Sequence, residues 1–361
     1  MTSTMSGHER FGRILQRQPV DRIGLYEHFW GDTQRAWAAQ GHIKADESLD
    51  DHFGFDCQVA WVFRVMADLD WVNETLEETE ETILTRDGNG AILRRHKQHD
   101  STPEHVDFTV KDREKWEELI KPKLTVDRRR IDFDWYRRAR QQAADAGRFF
   151  FWGFINVFEC IHPVCGHENM LMGMVEDPEW VEDMVTTYSQ LIIDLQELLF
   201  AEEGAPDGIW YFEDLGFKER PFMSPNMYRE IIQPGHVRTI SYAHSRNLPV
   251  VMHSCGFIEP LLPGMLEAGI DALQVMEVKA GMDPLRIHKQ YGDRLSLIGG
   301  IDVRTLCSND RAIIDAELEA KIPTLMQGYG YALHTDHSVP ATVEYDNYRY
   351  FIEKGLELGT Y

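Results

Sequence analysis

The sequence predicts a single (β/α)8 barrel spanning residues 1–361, opened by an N-terminal helical segment and carrying an inserted β-hairpin. Two observations carry that reading. Short, nearly all-apolar runs recur at 208–212, 248–252, 272–276, 295–298 and 329–333, and a longer helical pattern follows each. Strands that are apolar on both faces and separated by helices belong to a parallel sheet covered on both sides. Upstream, 23–26 and 149–154 read as two more strands and 56–63 as an eighth. Seven or eight such units in one chain favour a closed barrel over a doubly wound sheet.

The elements have local causes. Val20-Asp21-Arg22 reads as the loop into the first strand. Asp177-Pro178 sets an N-cap with Pro at the first helical position, Gly204 marks the far end, and Ser224-Pro225 repeats the start signal. Residues 71–125 break the rhythm. There, 82–85 and 91–94 flank Asp87-Gly88-Asn89-Gly90 and read as a hairpin with its turn, an excursion over one end of the barrel.

Lys and Arg number 37 and Asp and Glu 60, a formal charge of −23. Such a chain repels phosphate backbones, and the longest basic run is Arg128-Arg129-Arg130, so nucleic-acid binding is excluded. A polyanionic substrate is disfavoured for the same reason. Five cysteines, odd in number and widely spaced, do not form a disulfide framework. The polar N-terminus shows no signal-peptide core, and no apolar run reaches the roughly 20 residues of a membrane helix. The expectation is a cytoplasmic protein with reduced thiols and no membrane partner.

In a (β/α)8 barrel chemistry sits at the C-terminal ends of strands. Those ends read Glu27-His28, Glu213-Asp214, His253-Ser254-Cys255-Gly256, Glu277, Asp302 and His334-Thr335-Asp336-His337. His253 and Cys255 lie two apart, so in extended chain both side chains share one face. Imidazole plus thiolate suits zinc. His337 and His334 are the candidates for a third ligand. Glu213 and Asp214 are candidates for acid/base, ligand or supporting roles, Asp214 ahead of Glu213. Glu27, His28, Trp30, Trp152 and His334 are candidates for the substrate pocket. Cys160 and Cys165, with His162 and His167 nearby, form half of a zinc pattern without a second cysteine pair, and are expected to be structural.

Taken together, the motifs resemble the uroporphyrinogen decarboxylase superfamily, most of all its branch of corrinoid-dependent methyltransferases. The resemblance runs from His8-Glu9-Arg10-Phe11 and Pro19-Val20-Asp21-Arg22 through Cys165-Gly166-His167-Glu168-Asn169-Met170-Leu171-Met172 to Phe212-Glu213-Asp214-Leu215-Gly216. It continues in Ser224-Pro225, His253-Ser254-Cys255-Gly256, Gly299-Gly300-Ile301-Asp302 and Thr335-Asp336-His337-Ser338-Val339-Pro340. It implies zinc held by His-x-Cys and a later ligand, with His337 standing where that branch has a Cys. It also implies a corrinoid (cobalamin) on a partner protein, and a small O- or N-methyl compound, thiol or pterin as donor or acceptor. Uroporphyrinogen decarboxylases carry an Arg-rich segment after the first strand. Here that stretch reads Gly24-Leu25-Tyr26-Glu27-His28-Phe29-Trp30, which argues against a polycarboxylate tetrapyrrole. The alternative is metal-free decarboxylation of a smaller acid, with Asp214 or Glu213 as the acid/base.

Overall fold

The structure is a computed structural model describing residues 5–98 and 102–361. Residues 1–4 of the polar N-terminus and 99–101 of the excursion lie outside the described residues. Eight strands build one sheet: β1 (Gly24–Leu25), β2 (Cys57–Trp61), β3 (Phe149–Ile155), β4 (Gly208–Phe212), β5 (Val250–Ser254), β6 (Ala272–Val275), β7 (Ser296–Gly299) and β8 (Tyr331–Leu333). Their spatial order is β1-β8-β7-β6-β5-β4-β3-β2, and each ladder is parallel. These are the eight strands expected from the apolar runs, in a (β/α)8 barrel.

Strand β3 shows why such strands carry no polar alternation. Phe149 and Phe151 pack on Phe11 of α1 (Gly7–Leu15). Phe150, facing the other way, packs on Tyr136 of α2 (Phe133–Asp145). Both faces are dry, so both are apolar. Helix α1 lies against the N-terminal ends of the strands. Ser6 caps it by accepting from the Glu9 amide, and the Ser296 hydroxyl at the start of β7 donates to the Ile14 carbonyl.

Strands β1 and β2 share no ladder, and Asp56 bridges them. Its amide donates to the Leu25 carbonyl at 2.9 Å, while its carboxylate accepts from the Leu25 amide at 2.8 Å. Arg10 of α1 and Arg22 close on the same carboxylate at 2.6 and 2.8 Å, and Arg10 also holds Asp21. The Arg10 and Asp56 side chains are each 3% exposed.

At the other end of β1, Glu27 clasps β1 to β8. Its carboxyl group accepts from the Thr335 and His28 amides and meets the Thr335 hydroxyl oxygen, each at 3.0 Å. Glu27, a candidate pocket residue from the sequence, is buried and serves as this clasp.

The excursion is larger than a hairpin. The expected pair, Thr82–Arg86 and Ala91–His96, is flanked by Glu74–Glu78 and Glu104–Phe108 in a four-stranded antiparallel sheet. The Asp87 carboxylate orders the turn by accepting from the Asn89 and Ala91 amides. The strand Glu74–Glu78 is exposed throughout, so it lacks the apolar alternation that would reveal it. Among the described residues no helix is long and apolar enough to cross a membrane.

Two predictions follow from the clasp and the seam. Removing a buried carboxylate from two guanidinium partners leaves uncompensated charge, so Asp56→Ala should cost about 3–5 kcal/mol in urea unfolding. Loss of less than about 1 kcal/mol would show that the seam closes without it. Burial pushes Glu27 up to about 8, against the Thr335 and His28 hydrogen bonds that pull it down. The folded chain therefore keeps a proton that the unfolded chain releases above about pH 4.5, and stability falls as pH rises from there through about 8. Glu27→Gln removes this titration. Relative to wild type it should gain on the order of 3 kcal/mol between about pH 5 and pH 8. Parallel stability profiles for the two proteins would refute the buried neutral acid.

Candidate metal centre at the barrel mouth

The site is built where β4 and β5 end. His253 and Cys255 keep the two-residue spacing of extended chain, and the chain then turns at Gly256, whose φ is 75°. A Cβ there would lie 2.4 Å from the Gly216 carbonyl carbon, so glycine lets the two strand-end loops touch. That contact brings Asp214 alongside. Its Oδ1 accepts from the Cys255 amide at 2.8 Å and stands 3.2 Å from His253 Nε2, which is itself 3.3 Å from Cys255 Sγ. The ligating atoms of Asp214, His253 and Cys255 all lie within 4.8 Å of one another.

A directional chain of hydrogen bonds sets which His253 nitrogen faces this group. The Thr335 carbonyl can only accept, so His334 donates to it from Nδ1. Burial holds His334 neutral, its pKa near 3, which leaves a lone pair on Nε2. The Gln274 amide donates to that lone pair at 3.2 Å. Gln274 therefore turns its carbonyl oxygen toward His253 and accepts from Nδ1. Nε2 of His253 is left to face Asp214 and Cys255, the arrangement in which an outer partner fixes the tautomer of a metal-ligating imidazole.

The electrostatics favour a cation. Burial, then the charges of Asp214 and Glu277, push the Cys255 thiol up. Burial, then Asp214 and Glu213, push Glu159 up. His253 is raised as well: burial opposes its charge, but the hydrogen bond and charge of Asp214 outweigh it. A proton on His253 thus sits where a divalent ion would place its charge. Sulfur, imidazole and carboxylate form a donor set that suits zinc.

Glu213 and Asp214 divide the work of adjacent residues. Glu213 is fully buried and accepts from the Phe158 and Glu159 amides at 2.8 and 3.1 Å, at the start of α3 (Val157–Glu176). It also pairs at 2.6 Å with His236 of α5 (Gln233–Ser245), which lies beyond α4 (Pro178–Glu203). Asp214 faces the ligand group.

The other sequence candidates are placed as follows. His28 joins His334 at 3.0 Å and packs on Trp210 and Phe212. His337 is not in the three-residue group. Its ring lies 6.0 Å from that of Trp30, and its carbonyl accepts from the Thr335 hydroxyl. Trp152 lies outside the lumen. It packs on Phe63 and Tyr211, and the Tyr211 hydroxyl bonds Gln196 of α4, whereas the neighbouring Phe151 meets Trp210. Cys160 and Cys165 are buried on α3, and the Cys165 thiol donates to the Ile161 carbonyl. Sequence reasoning missed Gln274 and Glu159. Gln274 is a polar residue in an apolar strand buried on both faces, and that was the available signal. Glu159 lies within the first turn of α3 and carries none.

Comparison with known proteins places the chain. The sequence profile described as Uroporphyrinogen decarboxylase (URO-D) matches residues 154–356. The methylcobamide:CoM methyltransferase MtaA of Methanosarcina barkeri is 35% identical over 115 residues. That alignment covers 30% of this chain and only 32% of the relative's length. A solved methyltransferase from Methanosarcina mazei has the same fold, with a TM-score of 0.69 at 16% identity over 98% of this chain and 99% of that one. The profile match takes in more than half of the sequence, including β4 to β8 and the whole ligand group: the chain belongs to the uroporphyrinogen decarboxylase family.

Proposed function

We propose that this protein is a zinc-dependent methyltransferase acting between a small methyl compound and a corrinoid carried by a separate protein. The small partner is an O- or N-methyl donor, or a thiol or pterin acceptor. The observation that carries the reading is the sulfur–imidazole–carboxylate group of Cys255, His253 and Asp214 at the open end of the barrel. The similarity to a methylcobamide:CoM methyltransferase supports it.

Zinc held there would supply a Lewis acid for the heteroatom that gives or takes the methyl group. The chain does the rest. Gln274 and His334 keep His253 Nε2 aimed inward. Asp214 holds the Cys255 amide, and with it the turn that presents the thiol. Phe212 packs 4.9 Å from the His253 ring and 4.5 Å from Trp61, an aromatic wall on one side of the group. Asp214 is preferred to His337 as third ligand because the Thr335 hydroxyl pins the His337 backbone at 2.6 Å, with its ring against Trp30.

Metal-free decarboxylation of a smaller acid is the competing reading, and Glu213 fits it poorly because its carboxylate is committed to three donors. Elemental analysis of protein purified without added metal separates the two. Zinc content should fall by one equivalent in Cys255→Ser and in Asp214→Asn. It should be unchanged in His337→Ala and in the double variant Cys160→Ala/Cys165→Ala. Full occupancy in Cys255→Ser would sink the assignment. Gln274→Leu should weaken zinc binding ~10–100-fold while the protein stays folded. Unchanged affinity would mean that the His334–Gln274 chain does not orient His253. The enzyme should form no coproporphyrinogen from uroporphyrinogen, since Glu27, His28 and Trp30 stand where cations would be needed.

A further inference from the structure

A second group of metal-ligating side chains lies on the far side of Glu159 from the mouth, where the excursion meets α3. His105 comes from the outer strand Glu104–Phe108, and His162 and His167 come from α3. Their ligating atoms all lie within 4.8 Å of one another. Residues five apart on a continuous α-helix point about 140° away from each other. Here α3 is broken at Gly166, with φ 77° and ψ 157°, and the break stacks His167 on His162 with ring centroids 4.2 Å apart. The same glycine admits the excursion. A Cβ at Gly166 would lie 2.5 Å from the Phe108 ring, and Phe108 is three residues from His105. The kink, the docking of the outer strand and the histidine trio are thus one feature.

His162 is already arranged as a ligand. Its Nε2 pairs with the Glu159 carboxylate at 3.0 Å. Its Nδ1 is buried and has no hydrogen-bond partner among the described residues. With the proton on Nε2, Nδ1 carries a lone pair that nothing satisfies, and a carboxylate behind the imidazole is the usual outer partner of a metal-bound histidine. Beside the trio is a hollow of about 480 Å³, lined by His105, Lys111, His167, Glu168 and Asn169 among others, that leaves room for a water as fourth ligand.

We infer that His105, His162 and His167 form a second site for a borderline transition-metal ion of the zinc class, which clasps the excursion sheet to α3. Three imidazoles and no thiolate suit zinc, nickel, cobalt or copper rather than calcium or magnesium. At metal–nitrogen distances of about 2.1 Å the three nitrogens close to about 3.4 Å of one another, a movement that side-chain torsions can supply.

The test uses the full chain carrying Cys255→Ser, stripped with chelator and dialysed against zinc. This background should bind one equivalent, and zinc should raise its melting temperature, because a ligand that binds only the folded state stabilises it. Adding His105→Ala, or His105→Ala with His167→Ala, should abolish both the equivalent and the shift. His105→Ala removes a half-buried ring from an outer strand. It carries the test if the double variant fails to fold, and far-UV circular dichroism decides that. Undiminished zinc binding after His105→Ala would overturn the site, as would no zinc binding by the Cys255→Ser parent. Failure of the mouth assignment reads differently. In that case wild type and Cys255→Ser bind the same single equivalent, and His105→Ala still removes it.

Discussion

The barrel depends on one carboxylate held between two strands that do not pair. The other neighbouring strands share ladder hydrogen bonds, but β1 is two residues long and meets β2 through Asp56. Its backbone serves both neighbours: the Asp56 amide reaches Leu25 and the Phe149 amide returns to the Asp56 carbonyl, so β1, β2 and β3 are registered through one residue. Burying that charge is tolerable only because Arg10 and Arg22 neutralise it and satisfy its oxygens. Arg10 belongs to α1, so the helix that covers the N-terminal face also supplies the cation that closes the seam.

Closure matters at the opposite face because the mouth is assembled from residues far apart in sequence. His253 is aimed by Gln274 on the next strand, and Gln274 is aimed by His334 two strands further on. The direction of every proton in that chain traces back to a backbone carbonyl that cannot donate. A hydrogen-bond relay of this kind works only if β5, β6 and β8 hold fixed positions. The stabilising end and the chemical end of the barrel are therefore coupled by rigidity, in line with the division of labour in this fold.

Much of this was legible in the sequence, for a physical reason. Parallel strands buried on both faces must be apolar, and the apolar runs marked all eight. His253 and Cys255 were legible because two residues of extended chain share a face. What failed follows from the same rule. A strand such as Phe149–Ile155, apolar on both faces, gives no alternation, so Trp152 could not be assigned to lumen or exterior and was read to the wrong side. The outer strands of the excursion are largely solvated, and nothing apolar announced them. His105 lies on one of those strands, so its meeting with His162 and His167 depended on a kink and a docking that no local pattern records.

The adjacent acids Glu213 and Asp214 show how an acidic chain can use its charge. Glu213 turns toward the first amides of α3 and binds His236, so its charge is absorbed by a helix terminus and an imidazole. Asp214 turns toward β5 and meets His253 and the Cys255 amide. Glu159 stands between them. Its amide is held by Glu213 and its carboxylate holds His162. Burial first, and then repulsion from Asp214 and Glu213, push Glu159 up. Positive charge at the mouth, whether a proton on His253 or a bound cation, relieves that repulsion. The acids would be a liability in a site without a cation, and beside one they are what holds it.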